Sequence, residues 1–193
     1  MPNIVNVGYD STNYYVLVTL AARLLVDVGW PGTLPKLRAA LERMGLPLTG
    51  ITHLLVTHYH PDHAGAAQEL KALGVTLIVL ENQVAAIAAL RQWMKPKHHY
   101  VDIILGDNLH LRSVDSRAFL RRLGIDGEIL PTPGHSDDSV SLLLDNGLAF
   151  TGDLPPPGIF GDPQHPAEAS WALLRAHGVH TVYPGHGPVG QLP

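Results

Sequence analysis

The sequence predicts an α+β fold, and three observations predict it. Short β-branched and aromatic runs open the chain, apolar runs and helix-spaced patterns alternate through its middle, and further short runs separated by turn residues fill its second half. No linker or low-complexity segment interrupts the 193 residues, and 46% hydrophobic with 16% charged residues supplies enough apolar surface for a sizeable core. A single domain over 1–193 is expected.

Residues 14–20 and 23–28, on either side of Ala21-Ala22, read as strands. Leu34, Leu37, Leu41 and Met44 recur at the spacing of one helix face, and Gly45 is a natural stop. Residues 51–57 read as a strand, 63–73 as a helix ending at Gly74, 75–80 as a buried strand and 84–94 as a helix closed by Pro96. Two short strands, 100–105 and 109–112, are expected around Gly106-Asp107-Asn108, then a helix over 116–123 stopped by Gly124. Strands follow at 128–131, 139–144 and 148–151, the last two joined by the Asp145-Asn146-Gly147 turn. Pro155-Pro156-Pro157-Gly158 must be a stiff loop, since proline lacks the N–H of a helix or central strand. A helix over 167–176 and a strand over 181–183 complete the set. Leu24-Leu25-Val26-Asp27 and Ala149-Phe150-Thr151-Gly152-Asp153 both end an apolar strand on Asp, a thin echo of two similar halves.

Composition excludes several classes of function. A formal net charge of −4 and the absence of any Lys/Arg run beyond Arg121-Arg122 and the Lys95/Lys97 pair argue against nucleic acid or anionic membrane as partners. Without cysteine there is no disulfide, thiolate ligand or Cys nucleophile. Residues 1–6 show no basic segment leading into an apolar one, and apolar runs are only strand-length, so a cytoplasmic location and a small-molecule substrate are expected. Oligomeric state is not legible.

Histidine is the unusual residue, with 12 copies, and neutral imidazole is the commonest metal ligand. Four motifs, each after an expected strand, concentrate them: Thr57-His58-Tyr59-His60-Pro61-Asp62-His63, Thr132-Pro133-Gly134-His135, Thr151-Gly152-Asp153 and Tyr183-Pro184-Gly185-His186-Gly187. His58 and His60 stand at i and i+2, so in an extended segment both point the same way. Asp62 and His63 are adjacent and suit a turn into the following helix. These four are too many ligands for one ion that keeps an open position. With His135, Asp153 and His186 the set is seven, which two ions sharing one carboxylate would use, leaving room for bridging solvent.

These motifs resemble those of the metallo-β-lactamase-fold hydrolase superfamily, and the resemblance runs from the N-terminal strands through Asp27 to Gly187. It implies a four-layered αββα sandwich with the site at one edge of the two sheets. It implies that His58, His60 and His135 hold a first divalent ion, that Asp62, His63 and His186 hold a second, and that Asp153 bridges them. Zinc is the first expectation, with iron or manganese as alternatives. It further implies a hydrolase in which a bridging hydroxide attacks a small ester, thioester or related substrate, with Asp62 and Asp153 as catalytic groups. Asp27 stands where the superfamily often has a carboxylate beneath the site, and either orients a ligand imidazole or caps local backbone.

Departures narrow the choice. The β-lactamases of this fold are exported and several use a Cys ligand, so antibiotic hydrolysis is not expected. Glyoxalase II-type thioesterases carry a C-terminal helical region, whereas here Gln191-Leu192-Pro193 closes the sequence. Lactonases place a Tyr soon after the bridging Asp, where this chain has Leu154 and three prolines. The superfamily's nucleases add a large domain or a basic arm. Short stand-alone metallohydrolases with a segment like Pro133 to Ser139 are the nearest resemblance.

Two alternatives to the hydrolase stay open. One is a mononuclear iron oxygenase resembling persulfide dioxygenases, for which His58, His135 and Asp153 would make a 2-His-1-carboxylate set. The other is a non-catalytic metal-binding module. Among the remaining residues, His98-His99 and His165 are expected at the surface, with a substrate-facing role the alternative. His53, His110, His177 and His180 are expected to be structural, Asp137 and Asp138 to cap a turn, and Tyr59, Trp93 and Trp171 to pack inside.

Overall fold

A strand whose successive residues are all apolar must be covered on both faces, since its side chains alternate between them. The central strands here are of that kind. In the computed structural model, which describes residues 1–192, β1 (Asn3–Asn6), β2 (Tyr15–Val18), β3 (Arg23–Val26), β4 (His53–Leu55), β5 (Thr76–Leu80) and β6 (Leu109–Leu111) form one sheet in that order. A second sheet runs β11 (Gly190–Gln191), β10 (Thr181–Pro184), β9 (Leu148–Gly152), β8 (Val140–Leu144), β7 (Gly127–Pro131). Leu25, Leu54, Leu77 and Val79 point outward from the first sheet into a cluster with Leu37 and Leu41 of α1 (Leu34–Arg43), Leu70 of α3 (Ala67–Lys71) and Ile87 of α4 (Val84–Ala89). Their neighbours Leu24, Val26, Leu55, Ile78 and Leu80 point inward, against Ile129, Leu142, Leu144 and Phe150 of the second sheet. Leu143 and Ala149 face out again, under Trp171 and Leu174 of α6 (Pro166–Ala176). The layers are therefore helix, sheet, sheet, helix. Helix α5 (Ser113–Arg122) joins the inter-sheet cluster through Phe119 and Leu120.

The echo between the halves is real at the level of topology. Strands β1, β2 and β3 form an antiparallel meander, α1 follows, and β4 returns parallel to β3. Strands β7, β8 and β9 form a second meander, α6 follows, and β10 returns parallel to β9. Asp27 and Asp153 follow the equivalent strands, β3 and β9.

Several elements differ from expectation for local reasons. The expected helix over 63–73 is two pieces, α2 (Pro61–Ala64) and α3, separated by Gly65-Ala66. Gly65 passes so close to Pro31 that an added Cβ would lie 2.4 Å from its Cδ. The expected helix over 84–94 is α4 continued by a 3-10 turn at Leu90–Trp93. Residues 100–105 form no strand: Asp102 pairs with Arg91, and the buried Lys71 amine donates to the Ile104 carbonyl at 2.6 Å and also binds Asp107 and Asn108. Helix α5 starts at Ser113 because the Glu81 carboxylate accepts from its amide and hydroxyl. Strands β1 and β11 are short edge strands with exposed ends, too brief to show a pattern. Among the described residues no helix is long and apolar enough to cross a membrane.

Phe150 is fully buried between the sheets, its ring 5.3 Å from Tyr15 and 4.9 Å from Tyr183. Phe150→Ala is expected to lower unfolding free energy by about 3–5 kcal/mol in urea titration. A loss below about 1 kcal/mol would show that the sheets do not depend on that ring.

Candidate metal centre

The site is assembled from segments that follow β4, β7, β9 and β10. After β4 the chain bends at Thr57 and His58, yet the rings of His58 and His60 still lie 4.6 Å apart on one side while Tyr59 points into the core, 2% exposed. His60 is the last extended residue, at φ −94° and ψ 157°, and Pro61 starts α2 without losing a helical hydrogen bond. Asp62 and His63 thereby fall in the first turn of α2 and aim at a second position. Gly152 adopts φ +54°, which turns the chain after β9 to present Asp153, and an added Cβ there would meet Thr57 Oγ1 at 2.4 Å. Gly185, after β10, keeps the centre open: a Cβ would lie 2.5 Å from Asp153 Oδ1 and 2.7 Å from His63 Cε1.

All seven expected residues converge. Their ligand atoms form three overlapping groups, each within 4.8 Å: His58–His60–His135, His58–His63–Asp153, and Asp62–His63–His186. Asp153 lies between the outer two. Its Oδ2 is 3.8 Å from His58 Nε2, 3.7 Å from His135 Nε2 and 3.5 Å from His186 Nε2, while Oδ1 is 3.3 Å from His63 Nε2. His186 Nε2 is 3.1 Å from Asp62 Oδ2, and His135 Nε2 is 2.9 Å from His60 Nδ1. Buried polar atoms normally have partners, yet His58 Nε2, His63 Nε2 and Asp153 Oδ1 are buried with none. Three lone-pair atoms aimed at one space, with neighbouring carboxylates, fit divalent cations with N and O ligands.

A second layer fixes the first. Asp27, 2% exposed, accepts from the Thr57 amide at 2.7 Å, the Thr57 hydroxyl at 2.9 Å and His63 Nδ1 at 2.8 Å. It does both things expected of it, orienting an imidazole and capping backbone, and the His63 bond leaves Nε2 facing the site. Residues 11–13, just before the expected strand at 14–20, hold the other end. The Ser11 carbonyl accepts from His186 Nδ1 at 2.6 Å, and the Thr12 hydroxyl donates to Asp62 Oδ2 at 3.2 Å. The Asn13 side chain donates to the Pro184 and Gly187 carbonyls, and its amide donates to that of Gly185. The polar run Ser11-Thr12-Asn13 at the mouth of a strand was the available signal.

Charges follow burial and neighbours. Burial pushes His58 well below the ordinary histidine value, reinforced by the surrounding imidazoles, and burial likewise lowers His135. Burial opposes ionisation of Asp62 and Asp153, but His63 beside both outweighs it and holds both carboxyls below the usual range. Burial also opposes a proton on His63, yet Asp27, Asp153 and Asp62 together raise it well above the ordinary value.

The other sequence readings divide. Trp171 is buried and its indole N–H donates to the Pro155 carbonyl at 2.7 Å. Trp93 is not interior: it is exposed and its ring lies against His60, because the 3-10 turn after α4 rotates it away from the helix's buried face. His165 caps α6 by accepting from the Ala167 amide at 3.2 Å, and its ring stacks on Phe160. His98 packs on Trp30. His53, His110, His177 and His180 take local partners. Asp138 accepts from the Tyr59 amide at 2.7 Å, joining the loop after β7 to the one after β4, while Asp137 is exposed.

The sequence model of the metallo-beta-lactamase superfamily matches residues 7–186. A beta-lactamase-like protein 2 homolog of Caenorhabditis elegans is 29% identical over 190 residues, covering 93% of this chain and 57% of its own length. An atrochrysone carboxyl ACP thioesterase of Aspergillus terreus is 27% identical over 189 residues, 93% of this chain and 50% of its own. The chain thus spans about half the length of these curated relatives. A probable metallo-hydrolase of Methanocaldococcus jannaschii is 25% identical and covered over 91% of its length, with 95% of this chain. In fold, the chain superposes on a metallo-beta-lactamase family protein of Thermus thermophilus with TM-score 0.73 at 21% identity, covering 97% of this chain and 73% of that one. A metallo-beta-lactamase of Cronobacter sakazakii with a HARLDQ motif gives 0.72 at 22%, covering 95% and 78%.

Two outcomes are expected from these contacts. Asp27→Asn, which keeps the shape but removes the charge facing His63, should weaken divalent-cation binding about 10–100-fold by calorimetric titration while the fold persists. An unchanged affinity would remove Asp27 from the site. Because His63 holds its proton above the ordinary range, a cation must displace it, so uptake should release about one proton and weaken as pH falls. Calorimetry in buffers of different protonation enthalpy reads this, and proton-free uptake would contradict it.

Proposed function

The chain belongs to the metallo-beta-lactamase superfamily, and from that premise we propose that it is a hydrolase of a small carboxylic ester or thioester, working with two divalent cations. His58, His60 and His135 would hold one, Asp62, His63 and His186 the other, and Asp153 would lie between them, with zinc the first choice of metal. The observation that carries this reading is the position of Asp153, whose two oxygens face both groups of ligand atoms. Cations bound there would supply Lewis acidity and bring the pKa of coordinated water toward neutrality.

The chain's own residues account for the rest. Depressed His58 and His135 stand neutral with lone pairs free at neutral pH, and Asp62 and Asp153 stand ionised. Asp62, steadied by the Thr12 hydroxyl and placed beside a bound cation once His63 has given up its proton, would stay ionised and would orient water at the centre. A cavity of about 320 Å³ opens beside Asp153, His135 and His186, with walls of Leu154, Pro155, Pro156 and Pro184. Its size suits a small molecule, and its walls are mostly apolar. Relatives whose names include thioesterase favour the thioester among the possible substrates.

Metal-loaded protein is expected to bind two ions per chain and to release thiol from S-acyl N-acetylcysteamine thioesters, with activity lost to chelator and restored by zinc. Asp153→Asn should lower kcat/KM by about 100-fold or more. One ion per chain at saturating zinc would sink the two-cation reading. One iron per chain with oxygen uptake on a persulfide would favour the oxygenase instead.

A further inference from the structure

Trp93 ends the 3-10 turn after α4 and is 55% exposed. A single exposed aromatic is ordinary on a protein surface, but this one adjoins the candidate metal centre. Its ring centroid lies 5.4 Å from that of His60, at an interplanar angle of 59°. The His135 ring follows at 4.8 Å from His60. Beyond it lies the cavity walled by Leu154, Pro155, Pro156 and Pro184. The centre is thus flanked by an indole on the His60 side and by leucine and proline on the Asp153 and His186 side.

The loop carrying Trp93 is held in place. Trp30 packs edge-on against His98 at 5.1 Å, and His98 Nδ1 accepts from the Lys95 amide at 3.2 Å. Among the described residues no Lys or Arg lines the cavity, whose only ionisable walls are the candidate ligands His135, Asp153 and His186. Arg91, two residues before Trp93, is engaged by Asp102. A charged group entering that cavity would meet apolar walls without a compensating side chain, which costs free energy, whereas on the Trp93 flank Lys95 and Lys97 are exposed. A flat or long apolar group would gain contact with the indole face.

We propose that Trp93 is a specificity-determining residue that selects substrates whose acyl group is aromatic or long-chain aliphatic. The inference rests on the ester or thioester reading of the same centre. It assigns the acyl side of the scissile bond to the Trp93 and His60 flank.

The test uses four N-acetylcysteamine thioesters that differ only in acyl group: acetyl, hexanoyl, benzoyl and succinyl. Metal-loaded wild-type protein should show kcat/KM about tenfold or more higher for benzoyl and hexanoyl than for acetyl or succinyl. Trp93→Ala should cut the benzoyl-to-acetyl ratio by about tenfold, chiefly through KM, with Trp93→Phe retaining most of it and metal content unchanged in both variants. A non-hydrolysable benzoyl thioether should quench tryptophan emission in wild type and lose most of that quenching in Trp93→Phe. A flat acyl series, a preference for succinyl, or an equal fall for all four acyl groups in Trp93→Ala would overturn the proposal. Absence of turnover on every thioester would instead count against the hydrolase reading, and the quenching experiment would still decide whether Trp93 receives an apolar acyl analogue.

Discussion

A carboxylate 2% exposed to solvent can stay charged only if the protein replaces the water it has lost. Asp27 meets that requirement with three donors, the Thr57 amide, the Thr57 hydroxyl and His63 Nδ1. Those three bonds bind the end of β3 to the segment after β4 and to α2, which between them carry four of the seven candidate ligands. Asp27 itself sits at φ 63°, a left-handed conformation that Asp tolerates better than most residues, at a cost of about 1–3 kcal/mol. The strain lies where it aims the carboxylate beneath the imidazole. The direction of His63, and through it the middle of the centre, depends on this one buried ion.

The two halves of the chain use the same layout for different ends. In each, a three-strand meander leads to an Asp at the end of its last strand. Asp27 is covered and turned toward its neighbours, whereas Asp153 keeps one side open to the cavity. Equivalent positions thus supply the support and the candidate bridge. What separates them is the burial of Asp27 and the glycine at 185, whose missing Cβ leaves Asp153 room.

Legibility in the sequence tracked the range of the interaction. His58, His60, Asp62 and His63 could be placed because strand alternation and a proline helix start are local rules. The alternating apolar runs fixed the buried strands for the same reason, and the family resemblance supplied the layers. Contacts set by partners far along the chain stayed hidden. The polar run Ser11-Thr12-Asn13 stands out but does not name its partners Pro184 and Gly187, and nothing local marks Gly65 as the point where Pro31 splits a helix. Trp93 departs from its expected place because the helix period does not extend past the point where α4 tightens into a 3-10 turn.

The seam between the sheets has a mechanical consequence. Near the centre the Val140 amide donates to the Thr57 carbonyl at 2.8 Å, and the Tyr15 hydroxyl to the Pro184 carbonyl at 2.9 Å. These rungs tie the rims of the two slabs beside the side chains that must meet across the gap, while the buried layer around Leu55, Leu142 and Phe150 holds the slabs face to face. A slip of about one ångström between the slabs would spoil the meeting while leaving each slab's own ladder whole. The buried layer thus holds the slabs together, while the rim rungs hold them in step.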